Sequence, residues 1–540
     1  MTSLALVNGK VWTRDGFRDA VAADGRTITA TGTDDEIREL ITPRTRVLDL
    51  RGKLVIPAFG DAHIHAVSAG LESLSCDLTS CPERRDCLSA IAAYAQSLAP
   101  GAWVSGGGWS MPAFPGGTPT AADLDQVTGG RPALLLNRDH HSAWVNTVAL
   151  RRARIDARTP DPPDGRIERD PRGAPAGTLH DGAVRLVADL MPAVTPEQLT
   201  AGLLAAQARL HSLGIASWQD ACVGAAPELG IADSFETYRR ADADGLLTAR
   251  VNAALWWDRH RGLDQIDGLL ARKTRATGNF RATSVKIMLD GICETFTAAM
   301  SEPYLGGHGR GELFIDPAEL ATVVMGLEDF QLHIHAIGDR AVTTALDALA
   351  GLSPAARAAG RHHIAHLQFV RPSDVPRFAE LGVIANFQPL WACLDDQMEV
   401  LTLPFAGAER SAWQYPIGGV LRGGGRIAFG SDWPVSSPDP LEEIHVAVNR
   451  TASPASRAGA RDEPFLPEQA ITVTEAMSAF TSGVAYVNHA EDVTGVLAAG
   501  MRADIAVLDQ DVFAIPARDI GTTSVVMTVA DGTVVHDQLS

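Results

Sequence analysis

The chain has 540 residues, of which 46% are hydrophobic and 21% are charged, an ordinary composition for a soluble globular protein. A formal net charge of -19 disfavours nucleic-acid binding through a basic surface. Neither a signal peptide nor a run of about 18 apolar residues occurs, and the six cysteines lack the spacing of a disulfide framework. We therefore expect a cytoplasmic protein that binds neither nucleic acid nor membranes.

Both ends of the chain are rich in short β-like runs separated by turn residues. In the N-terminal part these runs are residues 4–7, 10–13, 20–23, 27–31 and 46–50. In the C-terminal part they are residues 503–508, 525–529 and 534–535. Two β-rich ends around a long α/β middle predict one small β-sandwich domain composed of residues 1–57 and 490–540.

The middle of the chain alternates between strand-like and helical patterns. Strand-like runs occur at residues 133–136, 216–219, 251–255, 285–289, 332–335, 363–366, 383–386 and 427–430. Helical patterns include residues 197–213, 316–326, 340–349 and 372–381. The alternation predicts parallel βαβ units that close into a (β/α)8 TIM barrel over residues 58–489. A doubly wound open sheet is the alternative, disfavoured because no GxGxxG loop follows the first strand.

One long stretch interrupts this alternation. Residues 70–190 are irregular and rich in glycine and proline, with three consecutive glycines at 106–108. The stretch predicts a large insertion after the first barrel strand, placed as a cap over the functional site.

The stretch IPAFGDAHIHAVS contains two histidines separated by one residue. An apolar run at residues 54–56 predicts a buried strand, followed by a turn at residues 57–60 and the acid Asp61. Because side chains alternate along a strand, His63 and His65 leave the same face. Two neighbouring imidazoles form half of a transition-metal site, and the alternative is a pair of surface histidines.

Two further strand-like runs carry a charged residue where a barrel places its catalytic groups. Lys286 lies within the apolar run VKIMLDG, where it is either functional or paired with Asp290 or Glu294. Asp432 follows an apolar run, where it is either functional or the cap of the next helix.

Histidines end two other strand-like runs. His333 and His335 form a second HxH pattern, and His363 and His366 belong to a third histidine-rich run. For any single one of these residues, a core histidine with satisfied hydrogen bonds is the alternative. The argument for a metal site therefore depends on the whole set.

This set and its order resemble the amidohydrolase superfamily with a binuclear metal centre. The closer likeness is to its amidohydrolase-3 branch, which includes N-substituted formamide deformylases. The likeness covers nearly the whole chain and is carried by the stretches PAFGDAHIH, HSAWVNTVAL, VKIMLDG, HIHAIGDRAV, HHIAHLQ, FGSDWPV and GVLAAGMRADIAVLD.

The resemblance implies two divalent cations, with Zn²⁺ as the expected metal and other divalent transition metals as the alternative. It implies six ligands, namely His63, His65, Lys286, His335, His366 and Asp432. In this scheme the first two histidines bind one metal, the last two bind the other, and Lys286, carbamylated by CO2, bridges them. Asp432 binds the first metal and is the general acid/base. Carbamylation replaces an ammonium, which is disfavoured beside two cations, with an anion.

The chain departs from the family pattern near the expected substrate. The stretch DGICETFTAAM follows the lysine strand, and His140 stands where a glycine is common. Specificity therefore cannot be transferred from the family. Candidate substrate-binding residues, with ordinary packing as the alternative for each, are His141, Trp109, Glu294 and Asp339.

The resemblance implies a hydrolase that uses a metal-activated hydroxide on a carbon–nitrogen bond other than a peptide bond. We expect a small amide or formamide with a hydrophobic N-substituent as the partner, and a homodimer is one assembly consistent with the sequence. A decarboxylase or isomerase on the same scaffold is one alternative. An inactive binding or regulatory homologue is another, disfavoured because all six ligand positions are filled.

Overall fold

A computed structural model describes residues 2–454 and 461–539. Its N-terminal part contains seven strands: β1 (Leu4–Val7), β2 (Lys10–Thr13), β3 (Gly16–Arg18), β4 (Ala20–Asp24), β5 (Thr27–Gly32), β6 (Arg46–Asp49) and β7 (Leu54–Pro57). Four of them form a sheet in the order β5-β4-β1-β6. The other three join strands from the C-terminal end of the chain.

The first barrel strand, β8 (Phe59–Ile64), begins within the turn that was predicted at residues 57–60. The apolar run at residues 54–56 belongs to β7, which pairs with β2 in the small domain. The predicted turn at residues 57–60 is wrong, because strand structure resumes at Phe59. Both strands are fully buried, so hydrophobicity alone does not mark where one sheet ends and the next begins.

The insertion after β8 carries a sheet of its own. Its strands are β9 (Cys76–Asp77), β10 (Val104–Trp109), β11 (Ala133–Asn137), β12 (Ser142–Val145), β13 (Gly165–Arg169) and β14 (Pro175–Asp181). They lie in the order β13-β14-β12-β11-β10-β9. The prediction that residues 133–136 are part of the barrel alternation is therefore wrong: β11 pairs with β10 and β12.

The remaining barrel strands are β15 (Ile215–Val223), β16 (Arg250–Trp256), β17 (Phe280–Met288), β18 (Gln331–Ala336), β19 (His363–His366), β20 (Ile384–Phe387) and β21 (Arg426–Phe429). Within the described residues they form, with β8, an eight-stranded parallel sheet in the order β21-β20-β19-β18-β17-β16-β15-β8. The predicted TIM-barrel class is confirmed.

Backbone hydrogen bonds just beyond the strands join the last strand to the first. The N–H of Asp432 donates to the carbonyl of His63 at 2.7 Å, and that of His65 donates to Trp433 at 2.9 Å. Close approach at this seam requires Gly430, because a Cβ there would lie 2.4 Å from the backbone nitrogen of His63.

The C-terminal strands are β22 (Ile505–Leu508), β23 (Val525–Ala530) and β24 (Thr533–Asp537). They complete a sheet in the order β24-β23-β22-β7-β2-β3, so both ends of the chain contribute to it. Side chains of Leu4 and Val21 from the four-stranded sheet share one core with Val11 and Met527 from this sheet. Two facing sheets with a common core form a sandwich. Met1 and Ser540, which the predicted ranges include, lie outside the described residues.

Helices cover the barrel and the insertion. They are α1 (Asp34–Arg38), α2 (Ala66–Ser73), α3 (Arg84–Ser97), α4 (Ala121–Val127), α5 (Thr147–Arg152), α6 (Arg185–Ala188), α7 (Pro196–Ser212), α8 (Phe235–Ala243), α9 (Ile266–Arg275), α10 (Pro317–Gly326), α11 (Asp339–Ala350), α12 (Pro354–Gly360), α13 (Val375–Leu381), α14 (Leu403–Ala406), α15 (Ala408–Ser411), α16 (Ile417–Arg422), α17 (Pro440–Asn449), α18 (Val473–Phe480) and α19 (Ser482–Val487). The four predicted helical patterns correspond to α7, α10, α11 and α13. Among the described helices, none has both the length and the apolar composition needed to span a membrane.

Candidate metal centre

The structure brings all six sequence-predicted ligands to the wall of one cavity, at the carboxyl ends of the barrel strands: His63, His65, Lys286, His335, His366 and Asp432. Five different strands or strand ends supply them, as expected for a site on this fold. Parallel pairing sets their levels along the barrel axis. Lys286 is level with His333, and Ala336 is level with His366.

Asp432 lies at the centre of the cluster. Its Oδ1 is 3.2 Å from Nε2 of His63 and 3.1 Å from Nε2 of His65, and its Oδ2 is 3.9 Å from Nδ1 of His366. The Nζ of Lys286 is 3.4 Å from the same Nε2 of His63. The ring centroids of His335 and His366 are 4.4 Å apart. The cluster thus places nitrogen and oxygen atoms within reach of a shared cation.

The chemistry of this donor set suits a divalent transition metal. Burial, followed by the charge of Lys286, lowers the pKa of His63 to about 3, so its imidazole is neutral, the form that binds metals. Within the described part of the chain, the buried Nδ1 of His366 and Oδ1 of Asp432 have no hydrogen-bond partner. Imidazole nitrogens and carboxylate oxygens are among the ligands that zinc takes in proteins.

Lys286 is only 3% exposed, and burial lowers its pKa to about 8. The alternative that it pairs with Asp290 or Glu294 is not supported. Asp290 accepts three backbone N–H groups at 2.9–3.0 Å, and Glu294 accepts a hydrogen bond from Thr402 at 3.2 Å. Both carboxylates are therefore engaged elsewhere.

Asp61 belongs to the site although the sequence assigned it no role. Its carboxylate accepts the backbone N–H of His63 at 2.9 Å and the hydroxyl of Ser431 at 2.6 Å. Burial raises the pKa of Asp61 to about 7. The residue ties the first barrel strand to the loop that carries Asp432, and so fixes two ligands relative to each other.

Two histidines of the insertion reach the same cavity. The Nδ1 of His141 lies 2.7 Å from Oδ1 of Asp181. Burial lowers the pKa of this imidazole, but the interaction with Asp181 outweighs burial, so the pKa is raised. The Nε2 of the extra histidine, His140, lies 2.8 Å from Oε1 of Glu72. The interaction with Glu72 outweighs burial and raises the pKa of His140 to about 9. The structure thus places His141, a candidate substrate-binding residue, at the cavity that contains the six predicted ligands.

The other three candidate substrate-binding residues are not among the described residues that line the cavity. Trp109 is fully buried in the insertion and donates its Nε1–H to Leu135 at 2.9 Å. Asp339 accepts hydrogen bonds from Ser301 and Arg371. Glu294 bonds Thr402, as described above. These positions do not support contact with a substrate at the metal centre.

Apart from Asp139, the remaining wall of the cavity is apolar. Its apolar side chains are Leu229, Ile231, Trp256, Met288, Ile292, Ile337, Trp391 and Val435. Trp391 lies parallel to the ring of His366, with centroids 5.4 Å apart. Among the described lining residues there is no arginine, so the wall offers no guanidinium for a bidentate pair with a substrate carboxylate.

Sequence reasoning also missed the polar floor beneath the ligands. Gln219, His333 and His363 are completely buried in the barrel interior and hydrogen-bond to one another. The signal was present for His333, because period-two alternation puts it on the same face of β18 as His335. For Gln219 the sequence carried no such pattern.

Comparison with known proteins agrees with this geometry. Residues 46–536 match the model of the Amidohydrolase family. The chain is 28% identical to Protein LONG AFTER FAR-RED 3 of Arabidopsis thaliana, over 98% of this chain and 91% of that protein. It is 27% identical to the N-substituted formamide deformylase of Arthrobacter pascens, over 100% and 99% of the two chains. A crystal structure of a metal-dependent hydrolase from Pyrococcus furiosus superposes with a TM-score of 0.70, at 26% identity over 94% and 99% of the two chains.

Proposed function

Since the chain belongs to the amidohydrolase family of metal-dependent hydrolases, we propose that it hydrolyses the carbon–nitrogen bond of a neutral N-substituted amide or formamide. The observation that carries the proposal is the position of Asp432, whose carboxylate lies within 3.2 Å of the imidazoles of His63 and His65, in a cavity that also has an apolar wall. Such a carboxylate can serve both as a ligand and as a proton carrier.

The family implies a divalent metal, and we propose two Zn²⁺ ions. His63, His65 and Asp432 would hold one ion, and His335 and His366 would hold the other. A metal held in this way lowers the pKa of a bound water from 15.7 to about 7, which provides a nucleophile at neutral pH. The orphaned atoms of Asp432 and His366 support this assignment.

We propose that Lys286 carries a carbamate whose anionic oxygens would serve as ligands for both ions. The lone pair of a neutral Nζ bonds to the carbon of CO2, and the nitrogen loses a proton to solvent, leaving an anionic carbamate. A pKa of about 8 leaves part of the lysine population neutral near pH 7, which makes this step accessible. Burial disfavours a permanent ammonium there.

We assign the proton transfer to Asp432. During attack its carboxylate would accept a proton from the nucleophile, and it would then deliver that proton to the leaving nitrogen. His141 faces the cavity with its ring fixed by Asp181, which suits it to hydrogen-bond the substrate carbonyl. Both residues act on the polar end of the substrate.

The apolar wall supports a hydrophobic N-substituent. A chain packed against Trp391, Trp256 and Leu229 would be desolvated, and each buried methylene contributes about 0.8 kcal/mol. The lack of a lining arginine among the described residues disfavours N-acyl amino acids, whose carboxylate would find no guanidinium for a bidentate pair. The name of the Arthrobacter pascens relative points to the same substrate class.

The test is a substrate panel combined with metal analysis and ¹⁸O-labelled water. We expect turnover of N-substituted formamides and amides with apolar substituents, weaker turnover of N-acyl amino acids and cyclic ureides, and ¹⁸O in the acyl product. The Asp432→Asn variant is the control for background hydrolysis. Turnover without solvent oxygen in the product would instead establish a decarboxylase or isomerase, and a metal-free protein from zinc-replete medium would favour a non-catalytic role.

A further inference from the structure

A continuous set of buried hydrogen bonds connects the floor of the barrel to the metal centre. We propose that these bonds, running from Gln331 through Gln219 and His333, fix the tautomer of His63 so that its Nε2 presents a lone pair to the metal. The inference rests on the proposed role of His63 as a ligand. His333 and Gln219 are thereby positioning residues, since neither belongs to the ligand set.

The set begins at two backbone carbonyls. The side-chain Nε2 of Gln331 donates to the carbonyl of Arg361 at 2.9 Å and to that of Val487 at 2.7 Å. A carbonyl can only accept a hydrogen bond, so the amide of Gln331 has one permitted orientation. Its Oε1 must therefore face Gln219, and it accepts a bond from Ser284 at 2.5 Å on the same side.

The orientation of the Gln331 amide in turn fixes the orientation of the Gln219 amide. Its Nε2 donates to Oε1 of Gln331 and to Oδ1 of Asn488, both at 2.9 Å. Its Oε1 consequently faces Nδ1 of His333 at 2.7 Å and Nε2 of His363 at 2.9 Å. Because an amide oxygen only accepts, both of these ring nitrogens carry a proton.

The orientation of the Gln219 amide fixes the tautomer of His333. A neutral imidazole has one N–H, so a proton on Nδ1 leaves Nε2 as an acceptor. That Nε2 lies 2.8 Å from Nδ1 of His63, which must then be the donor. His63 is left with its lone pair on Nε2, the atom that faces Asp432 and Lys286. Burial and the neighbouring His363 lower the pKa of His333 far below its usual value, which agrees with a neutral ring.

A second branch requires the same orientation independently. The side-chain Nδ2 of Asn386 donates to the backbone carbonyl of Ala62 at 2.9 Å, which fixes its amide. The same Nδ2 lies 3.2 Å from Nδ1 of His363, which is therefore the acceptor nitrogen of that ring. The proton of His363 is then on Nε2, as the bond to Gln219 demands. The amides of Gln331 and Asn386, each fixed by backbone carbonyls, thus require the same positions for the imidazole protons.

Fixing the tautomer of His63 should raise the affinity of the site for metal. A histidine with the wrong tautomer presents an N–H to the ion, and partners that fix the ligating tautomer typically contribute about 10- to 100-fold to metal affinity. The chain achieves this with neutral amides and imidazoles rather than with a carboxylate. No charge therefore accumulates beneath the two proposed cations.

The first test uses the metal-free wild-type protein with ¹⁵N-labelled histidine. We expect NMR to show His333 protonated on Nδ1 and His63 protonated on Nδ1, with the ring resonances assigned by comparison with the His333→Gln and His63→Gln variants. A proton on Nε2 of His333 would overturn the proposal. This measurement needs neither metal nor substrate, so it stands even if the proposed hydrolysis is wrong.

The second test measures Zn²⁺ affinity by competition with a chromophoric chelator. We expect His333→Leu to lose about 10- to 100-fold in affinity, and His333→Gln, which retains an acceptor, to recover most of it. His211→Leu is the matched control, because His211 is also buried and bonds Ile215 and Thr248 far from the centre.

Wild-type affinity in folded His333→Leu would overturn the proposal, and so would equal losses in the Leu and Gln variants. If His333→Leu does not fold, the tautomers measured by NMR in the wild-type protein decide whether the proposal is correct. Loss of affinity in His211→Leu equal to that in His333→Leu would also count against a specific role for His333, because it would show a general effect of destabilisation.

Discussion

The backbone N–H of Asp432 donates to the carbonyl of His63 at 2.7 Å, across the seam where the last barrel strand meets the first. One hydrogen bond therefore both joins these two strands and sets the carboxylate of one residue beside the imidazole of the other. The site depends on closure of the barrel, and closure places residues from opposite ends of the chain in contact. The predictions below follow from this arrangement.

Replacing Asp432 with Asn should separate metal binding from turnover. The amide keeps an oxygen ligand near His63 and His65 but cannot accept a proton. We expect metal content near wild type by elemental analysis, with kcat lowered at least about 100-fold, the low end for general acid–base catalysis. His335→Ala is the comparison, since it removes a ligand and should lose metal and activity together. Near-normal kcat in Asp432→Asn would remove this residue from the proton-transfer role.

Replacing Lys286 with Ala should abolish activity, because no carbamate can form to bridge the ions. Short carboxylic acids such as acetate should partly restore turnover by occupying the vacated position. In the wild-type protein, ¹³C NMR after exposure to ¹³CO2 should show a carbamate resonance that Lys286→Ala lacks. A site with two bound metals and an unmodified lysine would contradict the prediction.

Acid should destabilise the protein through His362. Its Nδ1 accepts the backbone N–H of Leu332 at 3.0 Å, and burial, followed by the charges of His489 and Arg357, lowers its pKa from 6.5 to about 4. The unfolded chain therefore binds the proton first, so this contribution to stability is present above pH 6.5 and is lost as the pH falls toward 4.

The His362→Asn variant tests this by keeping an acceptor that does not titrate. Urea unfolding with a chelator present should show a smaller acid-induced loss of unfolding free energy than in wild type, by on the order of 3 kcal/mol. Identical pH dependence in the two proteins would show that the imidazole of His362 is not the titrating group.

Replacing Gly70 with Ala should disturb the packing of α2, the helix that begins just after His65. A Cβ at this position would lie 1.9 Å from the carbonyl oxygen of Gly202 on α7, so one helix must move. We expect the free energy of unfolding to fall by about 1–3 kcal/mol, as for other overpacked sites. Gly268→Ala on α9 is the control, because no atom lies within 4 Å of its Cβ, and stability should stay equal or rise by up to about 1 kcal/mol. Equal stabilities of the two variants, measured by urea denaturation, would count against close helix packing at Gly70.

Strands were predictable where hydrophobic runs stand alone between turn residues. Residues 427–430 are an example, since they form a short apolar run that pairs in the barrel. The run at residues 133–136 was assigned to the wrong sheet, and the turn expected at residues 57–60 overlaps the start of β8. Hydrophobicity reports only that a strand is buried, whereas its pairing partner depends on contacts between residues distant in the sequence.

The candidate site shows the same division. Its six expected ligands were identifiable, because histidine, lysine and aspartate at the ends of apolar strands are rare unless they have a role. The polar floor beneath the ligands was not identifiable, because Gln219 is an ordinary residue type. Its importance comes from two hydrogen bonds, to His333 and His363, that only the folded barrel forms. Asp61 was overlooked for the same reason, since its partner Ser431 is distant in the sequence.

The sequence by itself determined the barrel class and the family, because apolar periodicity and motif residues are local properties of the chain. The resemblance to that family supplied the six candidate ligands. Only the tertiary structure decided which atoms face one another. It placed Asp432 between two imidazoles, gave Asp290 and Glu294 other partners, and kept Trp109 away from the cavity. These outcomes depend on the closure and register of eight strands, which bring together side chains hundreds of residues apart and leave each buried polar atom only certain possible partners.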